Sequence, residues 1–232
     1  MKYCISVTCT NIEEKKSIFN MCQYSIKKYC DKYNFALSIH TKSKYNIGKI
    51  NGYNFGNFEK FQTFEDLNVF DRVWRLDADV LIMPNCPNIF DFVPLDKVGA
   101  VYEDVGRMTR DRRKQLWLVQ DQLGKTPDDW TSGYFNGGSV VFSKQHQEAL
   151  NLTQQNIDDA LNKDLGGCKE QTLLNWKIHN LGFGIHSLST KFNNIAPFGP
   201  GHNAYIIHYA GGQAGKLNRM KNDFSKYFKR SS

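Results

Sequence analysis

Arg72-Val73-Trp74-Arg75-Leu76-Asp77-Ala78-Asp79-Val80-Leu81-Ile82 reads as a short, largely apolar strand that delivers two carboxylates, one residue apart, at its end. Apolar residues on both sides of Asp77 and Asp79 place the pair where a buried strand reaches a cleft. Two buried carboxylates are costly without a positive partner, so such a pair calls for a cation between or beside them. Mg²⁺ and Mn²⁺ prefer oxygen ligands and often share them with phosphates, which makes a metal-bridged nucleoside diphosphate the first expectation. The bland alternative is a strand-to-turn junction in which Asp77 caps a turn and Asp79 is solvated. The rest of the chain decides between the two.

Upstream, residues 3–8 alternate Tyr3, Ile5 and Val7 with Cys4, Ser6 and Thr8, as a first strand would. Thr10 and Glu13 have capping-box spacing. Ile18, Cys22, Ile26, Tyr29 and Tyr33 then recur at helical intervals, predicting a helix that ends near Asn34. Phe35–His40 is a second strand, Thr41–Asn57 a polar loop, and Phe58–Phe70 a helix leading into the acidic strand. This alternation argues for an α/β sandwich with a mainly parallel sheet. Downstream, strands are predicted at Val98–Glu103, Gly137–Ser143, Gly184–Ser189 and Tyr205–Tyr209. Helices are predicted at Thr109–Gln122, Lys144–Leu161 and Cys168–Leu181, with an exposed loop at Gly124–Gly133. No repeat or linker divides the chain, so residues 1–232 read as one domain. In open α/β sheets ligands gather beyond the carboxyl ends of strands, which predicts that Thr8–Asn11, Asp77–Asp79 and His208–Gly212 meet at one cleft.

Composition narrows the classes. The chain of 232 residues is 41% hydrophobic and 23% charged, as a water-soluble globular domain is. No apolar run approaches the length of a membrane span, and Met1–Thr8 reads as a strand rather than a secretory signal. The six cysteines form no C-x-x-C pair or zinc spacing, so they are expected as reduced thiols in a cytoplasmic protein. A net charge of +7 is concentrated in Arg107–Lys114 and Lys216–Arg230, which suits an anionic partner or a peripheral membrane contact, or else an ordinary solvated helix face. No zinc finger, RNA-recognition signature or aromatic-and-basic strand pattern points to nucleic acid.

Four segments, in order over most of the chain, carry a family resemblance. They are Phe58-Glu59-Lys60-Phe61 running into Val73–Leu81, Tyr134-Phe135-Asn136-Gly137-Gly138, Glu170-Gln171-Thr172-Leu173-Leu174-Asn175, and Ile206-Ile207-His208-Tyr209-Ala210-Gly211 followed by Lys216. Together the chain resembles the GT-A class of nucleotide-sugar glycosyltransferases, most nearly the glycosyltransferase family 8 pattern. Two departures stand out: Lys216 lies eight residues after His208 where that pattern has six, and Leu217-Asn218 replaces its Pro-Trp.

The resemblance implies a single Rossmann-like GT-A domain with a mixed, mainly parallel central sheet flanked by helices. Residues 1–83 would form the nucleotide-binding half and 84–232 the half for donor sugar and acceptor. The implied activity is a hexosyl- or pentosyltransferase using a nucleoside diphosphate donor, expected to be a UDP-sugar, and a glycan, glycoprotein or glycolipid acceptor. Asp77, Asp79 and His208 would hold Mn²⁺ or Mg²⁺, the mixed carboxylate–imidazole set suiting Mn²⁺ better. Thr8, Thr10, Asn11, Lys60, Ala78, Gly211, Gly212 and Lys216 would bind the nucleotide, and Asn136, Gly137 and Gly138 the donor sugar. Glu170 and Gln171 are the candidate catalytic pair. Glu170 is either an inverting base, with Glu103 and Asp104 as rivals, or in a retaining enzyme a residue beside the anomeric carbon.

Each assignment has a structural alternative: Thr10 as a helix cap, Lys60 as a solvated helix lysine, Glu170 as a carboxylate favoured by a helix N-terminus. A rival enzyme class also fits Asp77-Ala78-Asp79-Val80-Leu81, the haloacid-dehalogenase-like phosphatases. It would further require a lysine and an Asp-Asp pair at strand ends, for which only Asp128-Asp129 and Asp158-Asp159 are available. A non-catalytic nucleotide-sugar-binding module is the third possibility.

Overall fold

The computed structural model describes residues 1–10, 12–45, 47, 49–50, 53–104, 111–130, 133–196, 203–212 and 214–228. The first strand, β1 (Tyr3–Thr8), is buried on both faces, with Ile5 and Val7 in one apolar cluster and Cys4 in another. Helix α1 (Ile12–Tyr33) follows, after Asn11, which lies outside the described residues. It stops at Asn34, whose φ of 55° is a left-handed conformation that asparagine tolerates better than most residues. Strand β2 (Ala36–His40) then runs parallel to β1.

Within the expected loop, the chain forms a small hairpin of β3 (Lys49–Ile50) and β4 (Tyr53–Asn54). The helix expected over Phe58–Phe70 is two elements, a 3₁₀ helix at Phe55–Gln62 and then α2 (Thr63–Val69). The reason is in the aromatic spacing. Three residues per turn eclipse Phe55, Phe58 and Phe61 on one buried face, where their rings stack at 5.6 and 6.0 Å between neighbours.

Strand β5 (Arg72–Leu76) lies in the middle of the sheet and is wholly buried. After Asp77–Asp79 the chain leaves this sheet as β6 (Val80–Ile82), then returns as β7 (Val98–Tyr102). Helix α3 (Arg113–Leu123) leads to β8 (Phe135–Ser143), and a 3₁₀ turn at Lys144–Leu150 leads to α4 (Gln154–Asn162). The single helix expected over Lys144–Leu161 is interrupted because Thr153 starts a new one, accepting from the backbone N–H of Asn156 at 3.2 Å while Asn156 accepts from its own. Helix α5 (Lys169–Asn180), β9 (Ile185–Ser187), β10 (Asn194–Ile195), β11 (Ile206–His208) and α6 (Lys216–Phe228) complete the chain.

The central sheet has the order β2-β1-β5-β8-β7-β9, and β8 alone runs against its neighbours, giving the mixed, mainly parallel sheet expected. Alternation along β5 sends Trp74 and Leu76 to one layer and Val73 to the other. The first layer contains α1, the small β10-β11-β6 sheet and Met220 of α6; the second contains the stacked phenylalanines, α2, α3 and α5. Among the described residues, no helix is long and apolar enough to cross a membrane, and no two cysteines form a disulfide.

A polar cluster pins α2 to the sheet. Asp66 accepts from Ser6 Oγ at 2.5 Å and Ser38 Oγ at 2.6 Å, and lies 2.9 Å from His40 Nε2. The bond to Asp66 raises the pKa of His40 above its ordinary value, against the opposing effect of burial. The folded protein thus holds this proton more tightly than the unfolded chain. The pair's stabilisation is complete below the unfolded histidine value of about 6.5 and is lost as pH rises through the folded one. Asp66→Asn is therefore expected to cost about 2 kcal/mol in urea unfolding below that window and less above it, and to shift the His40 NMR titration downward. An unmoved titration would contradict this.

Candidate active site

Three segments meet because the acidic stretch switches sheets. Asp77 is still tied to the central sheet, its N–H donating to the Gly138 carbonyl of β8 at 2.9 Å. Two residues on, β6 pairs antiparallel with β11, which puts His208 opposite Val80 and lets the Tyr209 N–H donate to the Asp79 carbonyl at 2.9 Å. His208 Nε2 consequently lies 3.5 Å from Asp77 Oδ2 and 3.3 Å from Asp79 Oδ1. One ligand atom from each of the three residues fits within 4.8 Å.

Cations from three elements surround the carboxylates. Arg75, buried on β5, donates to Asp77 Oδ1. Lys60 Nζ, from the 3₁₀ helix, is 3.4 Å from the same oxygen and 3.3 Å from Glu170 Oε1. Lys216, the first residue of α6, bonds Asp79 Oδ2 at 2.5 Å and the Gly211 carbonyl at 3.2 Å. Burial pushes the pKa of Asp77 up, but Arg75, Lys60 and His208 more than offset it and hold the carboxyl well below the usual range. Asp79 is also lowered, burial and the charge of Asp77 being outweighed by His208 and Lys216. Both are carboxylates at neutral pH.

Among the described residues, one carboxylate oxygen has no cation beside it other than the His208 imidazole, 3.3 Å away. Asp79 Oδ1 is buried and has no hydrogen-bond partner among the described residues. A buried anionic oxygen without a partner costs several kcal/mol, of order 1–3 or more. Two carboxylates and an imidazole nitrogen converging on that oxygen form a donor set that fits Mn²⁺ or Mg²⁺.

The predicted residues distribute around one cleft of about 740 Å³. Thr8, Thr10, Lys60, Ala78, Gly211, Gly212 and Lys216 line it, together with Asp77, Asp79, His208, Asn136, Glu170 and Gln171. Asn11 lies outside the described residues. Gly211 adopts a φ of 79°, a left-handed turn that favours glycine. Gly137 is buried beneath Gln171, its N–H donating to Gln171 Oε1 at 2.8 Å. Gly138 has no room for a Cβ, which would overlap His208 Cε1 and lie 2.7 Å from Nδ1.

The far wall contains residues that sequence reasoning underrated. Glu103 Oε1 accepts from Asn136 Nδ2 at 2.7 Å and Gln171 Nε2 at 3.2 Å, while Oε2 accepts from Arg112 Nε at 2.5 Å. Arg112 belongs to the basic run Arg107–Lys114, whose charge suits an anionic partner or else a solvated helix face. Asp104 points elsewhere, accepting from the Gly133 N–H at 3.1 Å. Asn193, at the end of a 3₁₀ turn (Thr190–Asn193), bonds both His208 and Asn136 at 2.9 Å. No sequence motif marks it; only the β10–β11 pairing brings it there. The Asp pairs a phosphatase would need are remote from the cleft: Asp128 pairs with His179, and Asp158 and Asp159 sit on α4.

No protein-family model matches the sequence, and no curated protein does. Solved structures do match. A glycosyltransferase involved in glycosylating the major capsid of PBCV-1 superposes with a TM-score of 0.63 at 14% identity, over 96% of this chain and 100% of that one. The galactosyltransferase LgtC, in complex with donor and acceptor sugar analogues, gives 0.59 at 13% identity, over 98% and 96%. The glycosyltransferase GlyE of Streptococcus pneumoniae TIGR4 gives 0.53 at 14%, over 97% of this chain and 60% of that one. The fold is therefore that of the GT-A glycosyltransferases.

Gly138→Ala tests the packing of the site. The added methyl must displace the His208 ring, so Mn²⁺ affinity measured by electron paramagnetic resonance is expected to fall about tenfold or more with the circular dichroism spectrum unchanged. Wild-type affinity in this variant would contradict the placement of His208.

Proposed function

We propose that this protein is a metal-dependent glycosyltransferase that moves a sugar from a nucleoside diphosphate donor, a UDP-sugar, to a glycan, glycoprotein or glycolipid acceptor. The observation that carries the reading is the buried, unpartnered Asp79 Oδ1 at the meeting point of Asp77, Asp79 and His208, with two lysines facing the same cleft. The donor and acceptor sugar analogues bound by LgtC, a protein of the same fold, favour the same ligand classes here.

Asp77, Asp79 and His208 would hold Mn²⁺ or Mg²⁺, which when bound supplies Lewis-acid stabilisation to a leaving diphosphate. The chain's own residues supply the rest. Lys216 and Lys60 face the negative charge that develops on the leaving group, where fixed cations in a partly buried cleft act more strongly than in water. Exposed Gly211 and Gly212 leave the backbone open to close approach by phosphates. Thr8, the last residue of β1, and Thr10 just beyond it have the donors and acceptors to recognise a nucleobase and ribose, with Asn11 beside them in sequence. Asn136, Gln171 and Glu170 would face the donor sugar, with Gly137 and Gly138 packed beneath them. In this scheme residues 1–83 bind mainly the nucleotide and residues 84–232 the sugars.

Glu170 is paired with Lys60 at 3.3 Å, and Glu103 is engaged by Arg112, Asn136 and Gln171. These partners favour a retaining reaction, in which the donor's own leaving phosphate accepts the acceptor proton and Glu170 and Gln171 line the sugar.

Isothermal titration calorimetry of UDP tests the central reading. UDP affinity is expected to require Mn²⁺ and to fall at least tenfold with EDTA or in Asp79→Asn, with GDP and CMP binding more weakly than UDP. Equal affinity with and without metal would sink it. For the stereochemistry, Glu170→Gln is expected to lower kcat by well under the roughly 10²- to 10⁴-fold loss of a general base, with a product of retained anomeric configuration by NMR. An inverted product would reverse the assignment.

A further inference from the structure

His208 has two ring nitrogens, and the hydrogen-bond network around it dictates which one carries the proton. The backbone N–H of Gly138 can only donate, and it lies 2.8 Å from one amide atom of Asn136, so that atom is the oxygen. The other amide atom is then NH₂, as its 2.7 Å bond to Glu103 Oε1 requires. Asn193 reaches the same Asn136 oxygen at 2.9 Å and must offer its own NH₂ there. Its oxygen is thereby turned to His208 Nδ1, 2.9 Å away. An oxygen accepts, so Nδ1 carries the hydrogen, and in the neutral ring Nε2 is left with its lone pair.

That lone pair lies 3.5 Å from Asp77 Oδ2 and 3.3 Å from Asp79 Oδ1, the latter without a hydrogen-bond partner among the described residues. Free histidine in water favours the opposite tautomer, with hydrogen on Nε2. That hydrogen would occupy the space a ligand needs. We infer that Asn193, oriented by Asn136 and Glu103, is a positioning residue that locks His208 as its Nδ1–H tautomer and so presents Nε2 to a divalent cation. The same relay gives Asn136 a second task. Its oxygen already takes two hydrogen bonds, from Gly138 and Asn193, and one amide hydrogen goes to Glu103, so it contacts a donor sugar through its remaining N–H only. Donor wall and metal site are thus joined by one file of side chains: Arg112, Glu103, Asn136, Asn193 and His208.

This inference rests on the metal site of the proposed function, but its first readout needs neither metal nor substrate. Long-range ¹H–¹⁵N correlation spectra of metal-free protein labelled at histidine, with the rings neutral, report the tautomer directly. Wild type is expected to show protonated Nδ1 and bare Nε2 at His208. Asn193→Asp, which can still accept from Nδ1, should keep that tautomer, and Asn193→Ala should lose it. Mn²⁺ affinity by electron paramagnetic resonance, without nucleotide, should be about 10- to 100-fold weaker in Asn193→Ala than in wild type, the usual cost of losing an outer partner of a ligand. An Nε2–H tautomer in wild type would overturn the inference, and no variant is needed to see it. Unchanged Mn²⁺ affinity in folded Asn193→Ala would overturn it as well. Wild type with the expected tautomer but no Mn²⁺ binding would uphold the lock on His208 and instead strike at the proposed function.

Discussion

The burial of Asp77 and Asp79 at the exit of one central strand is the constraint around which this molecule is arranged. Two carboxylates cannot sit in a partly buried cleft unless positive charge reaches them, and here it comes from separate parts of the chain. Arg75 arrives from the same strand, Lys60 from a 3₁₀ helix and Lys216 from the start of the last helix. These partners cover Asp77 Oδ1 and Asp79 Oδ2, yet they leave Asp79 Oδ1 to the His208 imidazole alone, 3.3 Å away and with no hydrogen bond among the described residues. A purely structural cluster gains nothing from that omission. A site that takes up a cation needs it.

The fold makes this arrangement by breaking a strand. Had β5 continued straight, residues 80–82 would have extended the central sheet and left His208 without a neighbour. Instead β6 pairs with β11 in a second, smaller sheet, and a ladder that places His208 opposite Val80 also sets the distance from imidazole to carboxylates. Antiparallel β8 closes the other side, because Gly138, without a Cβ, lets the backbone lie against the histidine ring. The cleft forms beyond the carboxyl ends of β1 and β5, where open α/β sheets gather ligands.

The parts of this design that obey short-range periodicity were legible in the sequence. Alternation in Tyr3–Thr8, helical spacing from Ile18 to Tyr33 and the apolar run into Asp77 all became the expected elements. Phe55 reads as loop and Phe58 and Phe61 as the start of a helix over Phe58–Phe70, because the spacing of three that suits a 3₁₀ helix takes its meaning from a buried face contributed by other elements. Lys216 looked displaced by two residues from the familiar pattern. Left-handed turns at Gly211 and Gly215, with φ of 79° and 75°, take up the extra chain, so the ammonium still reaches Asp79. Asn193 carried no local signal at all, and Arg112 only its place in a basic run. Their importance is a product of long-range pairing, β10 on β11 and Arg112 on Glu103, which neither composition nor periodicity encodes.

The account's central claim is that one divalent cation sits between Asp77, Asp79 and His208 and is shared with a nucleoside diphosphate. Anomalous diffraction from crystals grown with Mn²⁺ and UDP tests it most directly. The account predicts a single strong anomalous peak within coordination distance of both carboxylates and of His208 Nε2, in contact with diphosphate oxygens. A UDP molecule bound in the cleft with no peak there, or a peak coordinated by other residues, would contradict it.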